Sequence, residues 1–566
     1  MSWLYRLNEW LKKYWRDAVV FLLAAVFFLG ASVFNYLTQS PDFVKWSSPD
    51  ETANYVMAKT LAATNNLTIE SKYNLIAEGI IAPRSLRADG ALLKPVSFLG
   101  MMVWYGAAAK IFGPAVLPYL TPLLAAIGLI FFYLLIKKLF GQDNALLSTI
   151  LLTFFPVYIY YSARSMFHNV PFVVLLIIGC YLILLSADSA KHKYLPWFYA
   201  LIAGWFCGLA ISFRASELIW LGPLLALWWL FNLKRWRIMR PLLFAYGLVA
   251  ASAPVLFQNY ILYGSILASG YPNLNASVAN IVSGSGGLVQ TAVLMKFGQA
   301  REFLAQVYHN FFYFGFKPQQ SWLIFNHYLV QMFPWLAYLG AAGFIIFCFR
   351  FWRRGKAALL YLLSLLLTGA ILILYYGSWK FSDNPDATSF TIGNSYTRYW
   401  LPIYLLVLPL VSLAIIRLSR LFRFPAVVRT LQFSAVAVIA GLGLVFVLYG
   451  SDEGLVPTHY RQLAAKQELA KVLSATEDNS IIVTRYGDKL FFPERQVIVG
   501  LLTDDNMNAI YARLARRVPV YYYNFELKPA DLAYLNQSKL ALLGVELKFR
   551  QAVTPDFSLY EFLVKK

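Results

Sequence analysis

Residues 18–37 read AVVFLLAAVFFLGASVFNYL, and shortly after this run comes Ser47-Ser48-Pro49-Asp50-Glu51-Thr52-Ala53-Asn54-Tyr55. An apolar run of that length crosses roughly 30 Å of hydrocarbon as a helix. It is too long for a signal h-region and lacks a small-x-small exit, so it reads as a retained first helix. Arg6, Lys12, Lys13 and Arg16 precede it and put the N-terminus in the cytoplasm. Adjacent carboxylates at the mouth of such a helix cannot face hydrocarbon without a large penalty, which places Asp50 and Glu51 in the aqueous layer or a wet cavity. They are the first candidates for chemistry.

The whole chain has the same character. Its 566 residues are 59% hydrophobic and 14% charged, and its mean hydropathy is +0.56. That is the composition of a polytopic membrane protein. The net charge of +21 would suit nucleic acid, but the basic residues gather in short links between apolar runs. This is the positive-inside pattern, with attraction to anionic membrane lipids as its by-product, and no nucleic-acid partner follows. Cys180, Cys207 and Cys348 lie in apolar runs without disulfide or metal spacing.

Apolar runs of roughly 16 to 22 residues fall at 18–37, 97–112, 116–136, 144–162, 170–186, 197–212, 218–233, 241–258, 328–349, 357–376, 400–416 and 430–449. Three links are strongly basic: Lys234-Arg235-Trp236-Arg237 with Arg240, then 350–356, then 417–429. Assigned to the cytoplasm, they leave 259–327, 377–399, 450–566 and the short link 164–169 outside. An even number of crossings would return both ends to one side, whereas the basic links place them on opposite sides. The segment expected not to cross is 97–112, short and carrying Gly100 and Gly106; a stretch within 300–316 is the alternative, as an extra crossing or an interfacial helix. About 11 to 13 spans are expected.

Residues 1–449 thus form the membrane domain, with an outer loop at 38–96 in which 53–61 and 73–81 read as short amphipathic surface helices. After Gly450 charged residues return. Helices are expected at 460–474 and 504–516, and strands at 480–484, 496–499, 518–523, 540–549 and 559–564. Residues 450–566 therefore read as a small extracytoplasmic α/β domain.

Asp50 or Glu51 could act as general base on an acceptor hydroxyl or amine. The ordinary structural reading has Asp50 capping a helix that begins near Thr52, with Glu51 in its first turn. Positive charge is depleted on the outer side of membrane proteins, so Arg84, Arg87, Lys94, Arg164, Arg214 and Arg398 need a reason there. A phosphate or pyrophosphate on a lipid carrier supplies one; headgroup contact or pairing with Asp89, Glu217 or Asp386 is the plainer account of each singly. His168-Asn169 precedes Pro171, which suits a first helical turn, and Asn169 reads first as that helix's cap. With Asp50 and Glu51 this pair could instead bind a sugar or a divalent cation, although no ligand spacing supports a metal and no cofactor is certain.

Several segments together resemble the GT-C class of glycosyltransferases, in the branch of protein O-mannosyltransferases and the lipid A aminoarabinose transferase. Pro49-Asp50-Glu51-Thr52-Ala53-Asn54-Tyr55 with Ala58-Lys59-Thr60-Leu61-Ala62 is similar to that branch's Asp-Glu motif and surface helix. Lys94-Pro95, followed by Lys110-Ile111-Phe112-Gly113, resembles its Lys-Pro-Pro loop and the helix end beyond it. Tyr161-Ser162-Ala163-Arg164 and His168-Asn169-Val170-Pro171 are similar to its second outer loop. Arg398-Tyr399-Trp400-Leu401-Pro402 resembles its Arg-Tyr-x-x-Pro approach to a late span. Two departures stand out: Asn169 replaces a frequent acidic residue, and Val96 replaces the second proline.

The resemblance implies the GT-C fold, a sugar donor linked to a polyprenyl phosphate, Asp50 as catalytic base, and Lys94 and Arg398 on the donor phosphate. Beside these, Tyr55, Arg84, Arg164, His168, Asn169 and Tyr399 complete the expected substrate-binding set. The expectation is inverting transfer to an unknown acceptor (glycolipid, glycan or protein) at the outer face of a multi-pass plasma-membrane protein. A transporter or lipid flippase would instead carry functional charges near the midplane of its spans and often an internal repeat. A non-catalytic assembly protein would leave Asp50, Lys94 and Arg398 without a purpose.

Overall fold

The structure is a computed structural model describing residues 2–188, 194–231, 238–272, 275–276, 308–309, 311–349, 355–381, 383, 390–450 and 452–565, without the side chains of 2–13 and 188. The basic links at 234–237 and 350–354, and residues 300–307 and 310 of the proposed extra crossing, lie outside them. In chain order the helices are α1 Ser2–Thr38, α2 Pro49–Thr64, α3 Gly100–Phe112, α4 Leu117–Phe140, α5 Gln142–Thr153, α6 Pro156–Ala163, α7 Asn169–Asp188, α8 Leu195–Phe213, α9 Leu218–Phe231 and α10 Met239–Tyr263. They continue as α11 Pro318–Phe325, α12 Pro334–Phe349, α13 Gly355–Ser378, α14 Ser395–Tyr399, α15 Leu401–Ser419, α16 Pro425–Tyr449, α17 Leu455–Ser474, α18 Asp488–Phe491, α19 Asp505–Ala515 and α20 Pro529–Tyr534. The strands are β1 Ile69–Glu70, β2 Leu86–Asp89, β3 Leu92–Pro95, β4 Ile481–Thr484, β5 Gln496–Val499, β6 Val520–Phe525, β7 Val545–Ala552 and β8 Phe557–Val564.

Among the described residues eight helices are long and apolar enough to cross a membrane, or up to ten if each of two bent pairs is one span. The chain is a multi-pass membrane protein. Two runs that read as single spans are broken: α5 and α6 meet at 54°, and 318–331 meets α12 at 97°. Pro156 and Pro334 sit at these breaks, where a ring without an amide hydrogen cannot continue the preceding turn. The run at 218–233 belongs to a shorter apolar helix, Ala215–Phe231. The doubtful segment 97–112 is α3, whose 13 residues reach only about 20 Å at 1.5 Å per residue; it is not among the candidate spans.

The chain divides into two compact units, one of residues 1–34, 119–257 and 271–457, the other of 35–118, 258–270 and 458–566. The expected outer loop and α3 thus share a unit with the C-terminal domain, and that unit is assembled from three stretches of chain.

The first unit is a helical bundle in which small residues let backbones approach. A Cβ on Gly204 of α8 would lie 1.9 Å from the Phe244 carbonyl oxygen of α10, and one on Gly208 would lie 2.3 Å from that of Leu248. Gly204-x-x-x-Gly208 is therefore the small-residue spacing of a close membrane helix pair. Gly204→Val is expected to lower stability by roughly 1–3 kcal/mol or more, read as an earlier thermal unfolding midpoint in detergent. An unchanged midpoint would mean that these helices do not pack this way.

The second unit holds the strands. Its large sheet runs β5-β4-β6-β8-β7, parallel across β5, β4 and β6 and antiparallel across β6, β8 and β7. Ile481, Val483, Ile498, Val520, Tyr522 and Tyr560 form its core with α19, and Ala77 and Ile81 of the outer loop are buried in the same core. Ile81 and Ala82 also bridge to Ile498 on the edge strand β5, which helps cover an edge that could otherwise pair with another chain. The surface helix expected at 73–81 does not form as such. Residues 72–75 make one 3₁₀ turn, and the Asn74 side chain then bonds both the amide and the carbonyl of Ile81 at 2.9 Å. The intervening Glu78 and Gly79 are left-handed. That side chain closes a loop where helix would continue.

Candidate active site

In the second unit, Ser48 is the N-cap of α2 and Pro49 its first residue. Glu51 turns back to accept the Ser48 amide at 3.0 Å, which is the returning arm of a capping box. The helix thus starts before Thr52, and capping falls to Ser48 and Glu51 rather than to Asp50. Glu51 is fully buried. Asp50 is half-buried and points elsewhere, its Oδ1 accepting the Ser85 hydroxyl at 2.6 Å. The acidic pair therefore divides into a helix cap and a carboxylate on the loop side.

Arg84 is next to that hydroxyl. Its amide donates to Asp488 Oδ2 at 2.9 Å, its Nε reaches both carboxylate oxygens at 3.1 Å, and its Nη2 reaches Oδ1 at 2.5 Å. Lys94 donates to Asp89, the pairing weighed from sequence, and to the Leu262 carbonyl at 2.9 Å. The Lys94 hydrogen bond and charge hold the exposed Asp89 carboxyl below its usual range. Arg87 lies 5.3 Å from the ring centre of Tyr263. Tyr55 is buried with its ring 6.3 Å from that of Trp46. Burial, and then the charge of Glu494, push its hydroxyl up. Sequence reading missed Lys45, which is 3% exposed and donates to the Phe492 carbonyl at 2.6 Å and to Glu494. Burial draws its ammonium below the usual lysine value, against the pull of Glu494.

The first unit brings Arg164, His168, Asn169, Arg398 and Tyr399 together. Phe172 donates its amide to the His168 carbonyl at 3.0 Å, so the cap of α7 is His168. Asn169, expected to cap, sends Nδ2 to the Arg398 carbonyl at 3.1 Å and ties the second outer loop to α14. The guanidinium carbons of Arg398 and Arg164 lie 4.7 and 5.0 Å from the ring centre of Phe167. Those of Arg398 and Arg214 lie 5.2 and 4.5 Å from that of Tyr399.

Three guanidiniums thus share two rings, an arrangement cation–π attraction favours. Arg164 also reaches the Tyr160 hydroxyl at 2.5 Å. Arg214 bonds Glu217 Oε1 through Nε at 2.9 Å and Nη2 at 2.7 Å. Tyr376 and Trp220 donate to the same carboxylate at 2.8 and 2.5 Å. Of the three cations, Arg214 is paired with Glu217; Arg398 donates to Ser395 Oγ at 2.7 Å, and the planar forks of arginine match phosphate oxygens. Among the described residues no group of three or more His, Cys, Asp or Glu could hold a metal ion.

Trp220 also lines an apolar cavity of about 690 Å³ enclosed by α4, α7, α9, α13 and α15, with Ile136, Ile177, Leu224, Ser364 and Leu405 on its walls. Lys138 and Lys356 line it too, and a largely apolar bundle cavity with a few polar groups suits an amphiphile.

A family model described as dolichyl-phosphate-mannose-protein mannosyltransferase matches residues 101–257, a stretch that contains Arg164, His168, Asn169 and Arg214 but neither Asp50 nor Arg398. Among solved structures the chain is similar to the archaeal oligosaccharyltransferase AglB from Archaeoglobus fulgidus, in complex with an inhibitory peptide and a dolichol-phosphate. The TM-score is 0.51 at 13% identity, over 98% of this chain and 75% of that one. It is also similar to ArnT from Cupriavidus metallidurans bound to undecaprenyl phosphate, with a TM-score of 0.55 at 12% identity, over 95% of this chain and 97% of that one. No curated protein sequence matches. At these identities the likeness is one of fold: the chain carries the GT-C fold, with its C-terminal sheet, as the resemblance implied.

Proposed function

We propose that this protein is an inverting glycosyltransferase that moves a sugar from a polyprenyl-phosphate carrier to an acceptor at the outer face of the membrane. The observation that carries the reading is the cluster of Arg164, Arg214 and Arg398 on Phe167 and Tyr399, beside an apolar cavity lined by Trp220. A ligand with an anionic head and a long apolar tail fits both halves. The matched family's description names a dolichyl-phosphate sugar, and the AglB and ArnT structures hold dolichol-phosphate and undecaprenyl phosphate. Both support such a donor.

In this reading the arginines hold the donor phosphate and stabilise the charge that grows on it as the sugar departs. Asp50 takes the acceptor's proton as general base, and attack on the face opposite the phosphate inverts the anomeric carbon. His168, Asn169 and Tyr399 border the donor. Glu51 and Tyr55 shape α2, and Lys94 is left to the hairpin, since Asp89 and Leu262 engage its ammonium. The positive-inside distribution supports a cytoplasmic N-terminus and an outer C-terminal domain.

The test is to incubate the purified protein with a panel of labelled polyprenyl-phosphate sugars and membrane extract. One donor is expected to yield a labelled product with free polyprenyl phosphate released in step. Bound lipid that is moved across vesicles without losing its sugar would turn the reading to a flippase.

A further inference from the structure

We infer that Asp488 is a positioning residue for Asp50, acting through Arg84 and Ser85; this rests on the reading of Asp50 as the base. In the second unit β4 lies between β5 and β6, parallel to both. Its carboxyl end is the switch point at which open α/β sheets hold their ligands. The chain turns there as the Tyr486 and Gly487 amides donate to Thr484 Oγ1 at 3.4 and 3.1 Å, and Asp488 follows as the first residue of α18. Asp488 is fully buried. What it holds is the chain's own outer loop, through the Arg84 amide, Nε and Nη2.

The next residue is where the clamp matters. Ser85 has φ +67°, a left-handed conformation that a non-glycine residue adopts only when its surroundings insist. Arg84 on one side and the Val96 amide, donating to the Ser85 carbonyl at 3.0 Å, on the other fix that conformation. It is the one in which the Ser85 hydroxyl meets Asp50 Oδ1 at 2.6 Å. The same part of the C-terminal domain steadies the loop just before α2: Lys489 donates to the Ser47 carbonyl, and Gln462 Nε2 reaches Ser47 Oγ at 3.0 Å. Asp50 is thereby oriented from both flanks by residues more than 400 positions away in sequence.

The experiment compares Asp488→Asn, Ser85→Gly, the double variant and Asp50→Asn in the transfer assay at equal folded amount. Misorientation of a base costs rate rather than donor affinity, so each single variant is expected to lose roughly 10- to 100-fold in kcat with the donor KM unchanged. The double variant should lose no more than the worse single, because both changes cut one path. A merely structural role would instead show losses that multiply, or losses in KM. Ser85→Gly suits the left-handed backbone and decides alone if Asp488→Asn fails to fold. Wild-type kcat in Ser85→Gly, or multiplied losses, with Asp50→Asn inactive would overturn the positioning role and leave the base standing. Full activity of Asp50→Asn would overturn the reading beneath it.

Discussion

Asp50→Asn is expected to lower transfer by roughly 10²- to 10⁴-fold, the range a positioned general base contributes, with the fold intact. Asparagine matches the shape of aspartate and its side-chain oxygen still accepts the Ser85 hydroxyl, so the 2.6 Å contact survives and only the carboxylate proposed as proton acceptor is lost. The helix terminus forfeits at most the favourable placement of a negative charge in its first turn, about 0.3–1 kcal/mol. Turnover and stability should therefore separate. Glu51→Ala separates them the other way: losing the capping arm should lower stability by about 0.5–2 kcal/mol and spare the chemistry in whatever fraction remains folded. Measuring product formation and thermal unfolding on both variants tests the division of the acidic pair. Full turnover in Asp50→Asn would remove it from the mechanism, and a collapse of kcat in folded Glu51→Ala would move the base to its neighbour.

Read from sequence, the cap falls to Asp50 and the helix begins near Thr52, although the local signal for the structure's cap is present. Ser48-x-x-Glu51 with Pro49 between them is the signature of a helix start, and Asp89-Gly90 between two short apolar runs is a hairpin signal. Gly90 at φ +59° makes the turn of β2 and β3, where Asp89 pairs with Leu92, a hairpin the sequence reading passed over. The C-terminal strands were legible because short apolar runs such as Ile481–Thr484, buried along their whole length, and the turn residues around them are local signals. The partners of the basic residues were not, because nothing local encodes them: Arg84 meets Asp488 at a separation of 404 residues, and Lys45 meets Glu494 at 449. The same limit hid the unit boundaries. Ala77 and Ile81 read as the apolar face of a surface helix, yet their burial comes from strands that the chain makes four hundred residues later.

Arg214→Met is expected to cost the most stability of any single change to the arginine cluster. Arg214 and Glu217 keep only 8% and 2% of their side chains exposed, and removing one partner of such a pair leaves a charge without compensation, roughly 3–5 kcal/mol. Tyr376 and Trp220 still donate to Glu217, which argues for the lower part of that range. Replacing both, Arg214→Met with Glu217→Gln, removes the stranded charge and should recover much of the loss, since apolar or neutral replacements of a buried pair are often tolerated. Donor use should not recover with it. Arg214 shares Tyr399 with Arg398, and one of the three guanidiniums proposed to hold the donor phosphate would still be gone, so the double variant should fold yet show a raised donor KM. Unfolding curves and donor titrations on the single and double variants distinguish the two roles. A double variant that regains both stability and donor affinity would make Arg214 a structural partner of Glu217 and leave the phosphate to Arg164 and Arg398.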